Sequence, residues 1–220
     1  MNLKSFIKPA YIASLITLFT IGAAYMIYSF LAPEKLPVYN PSDFNPELVD
    51  KSLQNTSEDH TVGDFELINQ NGEIITQDDY KDKIYVADFF FTRCRGICPV
   101  MANNMAKIQE EFINNDDIML LSLSVTPVKD SIPVLREYAD NKGVIDSKWN
   151  ITTGDKKHIY SLARESYFAV VEQGDGGLQD FIHTPNFILI DKKKQIRGVY
   201  VGTDDEDILR LINDIKLLSN

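Results

Sequence analysis

Apolar and polar residues divide the chain into an apolar N-terminal segment, a polar stretch, and a long segment of alternating short patterns. Residues 10–32 contain no charged side chain, and about 20 apolar residues span a bilayer as a helix. We predict a transmembrane anchor over residues 10–32 rather than a cleaved signal peptide, whose apolar region is usually shorter. Because Lys4 and Lys8 precede this segment, residues 1–9 are predicted to be cytoplasmic and the C-terminal domain to lie on the periplasmic, outer face of the membrane.

The polar stretch over residues 33–61 has four prolines, several Asn, Ser and Asp residues, and little periodicity. Such a composition is typical of an extended linker. We predict a tether between the membrane and the folded domain, with His60 exposed to solvent near its end.

The segment over residues 62–220 has the patterns of an α/β domain. Two short apolar runs around the turn sequence NQNG predict a β-hairpin. Continuous apolar runs predict buried strands, and apolar residues at helical spacing predict amphipathic helices. After the hairpin we predict strands over 84–91, 118–125, 186–191 and 195–202, with a variable β segment before the last two. We predict four helices: one begins near Pro99, and the others cover 130–140, 155–167 and 207–218. This order predicts a mixed sheet flanked by helices.

Composition and charge narrow the possible functions. The chain has 220 residues, of which 44% are hydrophobic and 25% are charged, as in an ordinary globular domain. Its net charge of -10 at pH 7 argues against a nucleic acid partner, because binding a duplex requires basic side chains that neutralise phosphates.

The two cysteines of the chain, Cys94 and Cys98, lie in the stretch FFFTRCRGICPVM, between a predicted buried strand and a predicted helix. A disulfide that closes so short a loop constrains the unfolded chain very little, so the spacing favours redox or metal chemistry over a structural bridge. If Cys98 is the N-cap residue, the helix dipole lowers the pKa of its thiol. The positive charges of Arg93 and Arg95, which flank Cys94, are also expected to lower a thiol pKa.

Thiolates are soft ligands that select Cu(I), zinc or iron–sulfur clusters. Structural zinc and [4Fe–4S] clusters need more ligands than this stretch supplies, whereas two sulfurs and one imidazole suffice for Cu(I). Three histidines are candidates for the imidazole. His158 lies in a helical pattern and is predicted to be a surface residue, His60 lies beside the tether, and His183 lies just before a buried strand.

Three stretches together resemble the Sco/SenC family, which comprises membrane-anchored copper chaperones for cytochrome c oxidase assembly. They are FFFTRCRGIC followed by Pro99, LSVTPVKDS, and FIHTPNFILID, and the resemblance extends over the whole of residues 62–220. It implies a thioredoxin-like fold with an added N-terminal β-hairpin. It also implies one copper ion bound by Cys94, Cys98 and His183, and a partner that is the copper-centre subunit of cytochrome c oxidase or another copper apoprotein.

Three positions depart from the family pattern. Arg95 and Gly96 stand between the cysteines, where many members have proline and a polar or acidic residue. Thr126 stands where many members have an aspartate. These departures put copper affinity and partner choice in question.

Two functions follow from these residues. The first is copper delivery without catalysis, which requires His183. The alternative is a thiol–disulfide oxidoreductase that acts on a partner's cysteines and does not require His183; Pro185 keeps it open, because thioredoxin-class enzymes have a cis-proline at the equivalent place. A peroxidase is disfavoured because its signature places a threonine three residues before the cysteine and a proline earlier still, whereas here Thr92 lies two residues before Cys94 and position 88 is Asp. Met101 and Met105 are interpreted as core residues of the helix.

Overall fold

The computed structural model describes residues 3–31, 35–44, 60–170, 176–177 and 180–219. The chain separates into two compact units, Met1–Lys35 and Leu36–Asn220. The first unit contains one long helix, α1, Leu3–Leu31. Within the described ranges, no helix combines the length and the apolarity that a membrane crossing requires, so the transmembrane anchor predicted over residues 10–32 is not confirmed.

The second unit is built on seven strands and four further helices. In chain order they are β1 Glu66–Asn69, β2 Ile74–Thr76, β3 Ile84–Phe90, α2 Cys98–Glu111, β4 Ile118–Ser124, α3 Ile132–Lys142, β5 Trp149–Thr153, α4 Lys156–Ser161, β6 Asn186–Ile190, β7 Ile196–Val201 and α5 Asp205–Ser219. A π-helical turn over Leu162–Ser166 continues α4. Together α4 and this turn account for the helix predicted over 155–167.

The seven strands form one mixed sheet in the order β2-β1-β5-β4-β3-β6-β7. The three inner strands β5, β4 and β3 are parallel, whereas the β1–β2 hairpin and the β6–β7 pair are joined to them by antiparallel pairing. All of β3 is buried, and its successive side chains face opposite sides of the sheet. Tyr85 and Phe89 pack in the core layer beneath α4, and Val86 and Phe90 pack in the layer beneath α2. The predicted mixed sheet flanked by helices is confirmed.

The position of β5 corrects the predicted strand order. The variable β segment was expected after the helix over 155–167, but β5 precedes α4, and among the described residues no strand lies between α4 and β6. The sequence of β5 lacks the apolar run of a buried strand, because Trp149 and Ile151 on one face alternate with buried polar residues on the other. Those polar groups are satisfied: Asn150 Nδ2 donates to Tyr80 Oη at 2.8 Å, and Thr152 Oγ1 donates to the Ser122 carbonyl at 2.8 Å.

Part of the predicted tether packs against the domain. The Tyr39 amide donates to the Ile196 carbonyl at 2.8 Å, which adds an isolated bridge to the edge of β7. Arg197 donates to the carbonyls of Leu36 and Pro37 at 2.6 and 2.9 Å. Residues 36–44 of the predicted tether thus include groups that bond to β7, at a sheet edge that would otherwise be open, and the tether over 33–61 stays a prediction. Residues 45–59 lie outside the described residues.

His60 is also not the exposed residue that the linker composition predicts. Its Nε2 atom lies 2.8 Å from the Ser166 carbonyl oxygen, and its ring centroid lies 4.7 Å from that of Phe168. Burial lowers the pKa of His60, although the contact with Ser166 opposes the change. His60 is thus part of the packing between the N-terminal segment of this unit and the π-helical turn.

Candidate functional site

The end of β3 and the start of α2 bring the two cysteines together. The Cys98 amide donates to Cys94 Sγ at 3.5 Å, and both thiols are free. Ile97 is the N-cap residue of α2, Cys98 is its first residue, and Pro99 occupies the next position, where its missing N–H is not needed. Cys94 is partly exposed in the preceding loop, whereas Cys98 is 4% exposed and points into the core.

This geometry makes the two thiols chemically different. Burial disfavours the Cys94 thiolate, but hydrogen bonds from the Cys98 thiol and from the amides of Cys98, Gly96 and Ile97 outweigh it, so the pKa of Cys94 lies below its ordinary value. Burial raises the pKa of Cys98 far above its ordinary value, and the neighbouring Cys94 sulfur adds to the effect. Cys94 is therefore the accessible nucleophile and Cys98 the buried, protonated partner.

The prediction that the helix start lowers the pKa of Cys98 is wrong. It assumed that Cys98 is the N-cap residue, but α2 begins one residue earlier. The unpaired amides of the first turn instead point at Cys94 Sγ in the loop. Arg93 and Arg95, which were expected to assist, are both exposed.

A buried carboxyl group that sequence reasoning passed over lies beneath this corner. Asp88 is 3% exposed in the middle of β3, on the same sheet face as α2. Burial raises its pKa to about 7, against the hydrogen bond that it accepts from the Ser122 hydroxyl. Ser122 in turn accepts from Trp149 Nε1 at 2.8 Å. An acidic residue inside an otherwise apolar strand was the available signal, since such a residue requires a specific environment.

A second buried carboxylate, Asp130, ties the cysteine loop to the loop after β4. Asp130 is 0% exposed and accepts from the hydroxyls of Thr92, Ser124 and Thr126 at 2.6, 2.5 and 2.8 Å. Thr92 precedes Cys94 by two residues, so this clamp fixes the base of the cysteine loop. Thr126, which departs from the family pattern, donates one of the hydrogen bonds of this clamp.

His183 lies at the same end of the sheet as the cysteines. Antiparallel pairing of β3 with β6 places the residues before β6 beside the residues after β3. The rings of Phe91 and Phe181 confirm that the two loops touch, with centroids 5.2 Å apart. The loop is held on both sides of His183, by a bidentate ion pair between Arg164 and Asp180 at 2.6 and 2.7 Å and by a bond from Thr184 Oγ1 to the Ala169 carbonyl at 2.7 Å.

The His183 side chain itself is exposed, and the structure does not gather it with the two thiols. Within the described ranges, no group of three His, Cys, Asp or Glu side chains is arranged to hold a metal ion. Cys94 and Cys98 are in contact, and His183 lies on an adjacent loop. Its role as a ligand stays a prediction.

Three further expectations can be compared with the structure. The Thr184–Pro185 peptide bond is trans. Met101 and Met105 are each 0% exposed in the core beneath α2, as their interpretation as core residues requires. His158 lies in α4 as predicted, but it is partly buried rather than a surface residue.

The family model for SCO1/SenC matches residues 53–218. The chain belongs to the SCO1/SenC family. The SCO1 protein homolog of Bacillus subtilis (strain 168) is 30% identical over 162 residues, which are 73% of this chain and 83% of that protein. The predicted resemblance is confirmed.

Solved structures of the family share the fold. BsSco, described as a member of the Sco family of cytochrome c oxidase assembly proteins with a disulfide switch, has a TM-score of 0.62 at 29% identity and covers 73% of this chain and 94% of its own. ScoI of Bradyrhizobium japonicum with copper bound has a TM-score of 0.56 at 20% identity, over 72% of this chain and 99% of its own. These likenesses confirm the predicted thioredoxin-like fold of this SCO1/SenC family member.

Proposed function

We propose that this protein is a copper-binding metallochaperone that assists assembly of the copper centre of cytochrome c oxidase. The observation that carries the proposal is the pair of free thiols in contact at the start of α2. Two sulfurs at one point form a soft donor set, which suits Cu(I). The assembly role described for BsSco supports the choice of recipient.

The residues of this site fit copper in three respects. Cys94 presents a partly exposed sulfur with a lowered pKa, which is the form that captures a metal ion. Cys98 is the second sulfur, and its high pKa means that copper binding releases its proton. His183 is the imidazole at the same end of the sheet, and we infer that it completes the set when its exposed side chain turns toward the cysteines.

Delivery is a ligand exchange without electron transfer. The bonds from copper to Cys94, Cys98 and His183 break as bonds to the recipient's ligands form, and the oxidation state of copper does not change. Protons released by the recipient's ligands return to the freed thiolates of this chain. Copper is thus cargo.

A copper titration of the reduced chain tests this function. The wild type should bind a single copper ion. Cys94→Ser, Cys98→Ser and His183→Ala should each weaken binding by about 100-fold or more, because even indirect partners of a metal ligand are worth about 10–100-fold. His158→Ala is the matched control and should bind copper as the wild type does. Wild-type affinity in His183→Ala would remove His183 from the site.

A second function is favoured by the unequal pKa values of the two cysteines. An exposed thiolate beside a buried thiol is the arrangement of a thiol–disulfide oxidoreductase. The Cys94 thiolate attacks a partner disulfide and releases one partner thiolate. Cys98, after losing its proton, then attacks Cys94 Sγ and releases the second, so two electrons pass to the partner and this chain is left with a Cys94–Cys98 disulfide. Copper-free turnover of a disulfide substrate, retained in His183→Ala, would establish this activity.

A further inference from the structure

Three apolar side chains at the rim of the cysteine corner are exposed to solvent over a large part of their surface. Val100 is 45% exposed, Val128 is 88% exposed and Phe181 is 44% exposed. They come from the first turn of α2, the loop between β4 and α3, and the loop before β6. The clamp between Thr92 and Asp130 and the contact of Phe181 with Phe91 hold these three segments together. Exposed apolar residues grouped around a reactive site mark a surface that another molecule covers.

The cysteine loop between β3 and α2 and the loop between β4 and α3 present positive charge on a protein whose net charge is -10. Arg93, Arg95 and Lys129 are exposed. Among the described residues of these loops and of the loop before β6, the acids are Asp130, which is buried and accepts from hydroxyl groups, and Asp180, which is partly buried and paired with Arg164. Among the described residues of these segments, none is an exposed acid.

Exposed acids also lie at this end of the sheet, among them Asp204 after β7 and Asp205 at the start of α5. Asp205 pairs with Lys107 at 3.2 Å, and no acid among the described residues forms an ion pair with Arg93, Arg95 or Lys129. The positive charge around Cys94 is therefore available to an outside partner.

Gly96 leaves the approach to Cys94 open. A β-carbon at this position would meet no atom within 4 Å, so the glycine is not required by close packing. A bare backbone between Arg95 and the helix allows another chain to approach Cys94 Sγ closely. Arg95 and Gly96, the departures from the family pattern, thus acquire a common explanation.

We propose that Arg93, Arg95, Lys129, Val100, Val128 and Phe181 form a docking face for the copper recipient. The recipient segment that fits it carries acidic residues together with an apolar side chain. This inference rests on the proposed copper delivery and names the chemistry of its partner. Charges at the rim of such a face act mainly on the association rate and its salt dependence, and the apolar contacts act mainly on the lifetime of the complex.

The test follows copper transfer from the Cu(I)-loaded full chain to the copper-free soluble domain of the copper-centre subunit from the host's own cytochrome c oxidase. Transfer is measured against acceptor concentration, so that the association rate constant and the Kd of docking are separated. Lys129→Glu and the double variant Arg93→Glu/Arg95→Glu reverse charges on the docking face. Lys81→Glu and Lys193→Glu reverse exposed charges at the opposite end of the sheet and serve as matched controls.

We expect the charge reversals on the docking face to slow association by about tenfold or more at low salt, because electrostatic steering contributes about 10–10³-fold to such rates. The difference from the wild type should disappear at 1 M salt, where the Debye length is about 3 Å. Val128→Ser should raise the docking Kd by about fivefold through lost apolar contact, whereas Ile74→Ser, at an exposed position on β2, should leave it unchanged.

The copper affinity of every chain is measured in parallel, which separates this inference from the proposed function. If the wild type binds no copper, copper delivery itself fails. If copper binds normally but charge reversal leaves the association rate and its salt dependence unchanged, the docking face is wrong. Faster association after reversal would also overturn it, since the recipient would then be basic.

Discussion

Replacing Asp88 with asparagine should change how the stability of the domain depends on pH. Asp88 lies inside β3 with a pKa raised to about 7 from an ordinary 3.8, chiefly by burial. Below pH 3.8 the carboxyl is protonated in both the folded and the unfolded chain. Between pH 3.8 and about 7 the unfolded chain loses the proton while the folded chain keeps it. The contribution of Asp88 to the free energy of unfolding therefore falls as pH rises through this window, and it is constant above the window.

The size of the effect follows from the two pKa values. Each unit of difference corresponds to 1.36 kcal/mol, so the folded wild type loses about 4 kcal/mol between pH 4 and pH 8 through this one group. Asparagine does not titrate and can still accept the Ser122 hydroxyl. Any change in the free energy of unfolding that the amide causes independently of pH is the same at pH 4 and at pH 8. The free energy of unfolding of Asp88→Asn minus that of the wild type should thus rise by about 4 kcal/mol across the range.

Urea unfolding of both chains at several pH values between 4 and 8 measures this difference. The single tryptophan, Trp149, is 1% exposed and bonded to Ser122, so its fluorescence reports on the environment of Asp88. Asp82→Asn is the control, because Asp82 is exposed and asparagine tolerates its φ of 58°. The titration of His60 cancels, since it is present in every chain. A difference between Asp88→Asn and wild type that stays flat from pH 4 to 8 would refute the reasoning.

Three other predictions concern the cysteine loop and its support. Asp130→Ala should lower the free energy of unfolding by about 3 kcal/mol, measured by urea denaturation, because it leaves buried hydroxyl groups without their acceptor; a loss below 1 kcal/mol would contradict the clamp. Iodoacetamide at pH 7 to 8 should alkylate Cys94 long before Cys98, as mapped by mass spectrometry, and equal rates would contradict the assigned pKa directions. Met105→Ala should cost about 2–5 kcal/mol of stability by opening a cavity but leave copper stoichiometry unchanged; loss of copper without loss of stability would make Met105 a ligand.

Most of the fold could be predicted from the sequence because its strands bury apolar side chains on both faces. β3 and β4 are apolar runs interrupted only by Asp88 in β3 and by Ser122 and Ser124 in β4, and no tertiary information is needed to recognise them. β5 lacked this signal because three of its five buried side chains are polar and depend on partners from other elements, such as Tyr80. The same limit applies to residues 36–44, whose proline-rich composition resembles a linker although they bond to Arg197. The pattern of apolar residues predicts which side chains an element buries, but it does not predict which polar groups form hydrogen bonds with an element distant in the sequence.

The candidate site shows the same division between local and distant information. The proximity of Cys94 and Cys98 was predictable, since two residues four positions apart in a short loop between a strand and a helix lie close together. Which thiol is acidic was not, because a shift of one residue in the start of α2 moves the unpaired amides from one sulfur to the other. No periodicity sets that boundary to within a residue.

His183 illustrates the limit most clearly. Pairing of β3 with β6 brings its loop to the cysteine corner, and the anchors at Asp180 and Thr184 hold that loop in place, yet its side chain remains in solvent. The backbone therefore brings the proposed third ligand near, and the binding energy of a metal ion would be needed to draw the imidazole toward the cysteines. A site closed by its cargo can also be reopened by a competing set of ligands, which is the property that a delivery protein requires. The exposure of His183 is thus consistent with transfer of copper rather than its permanent storage.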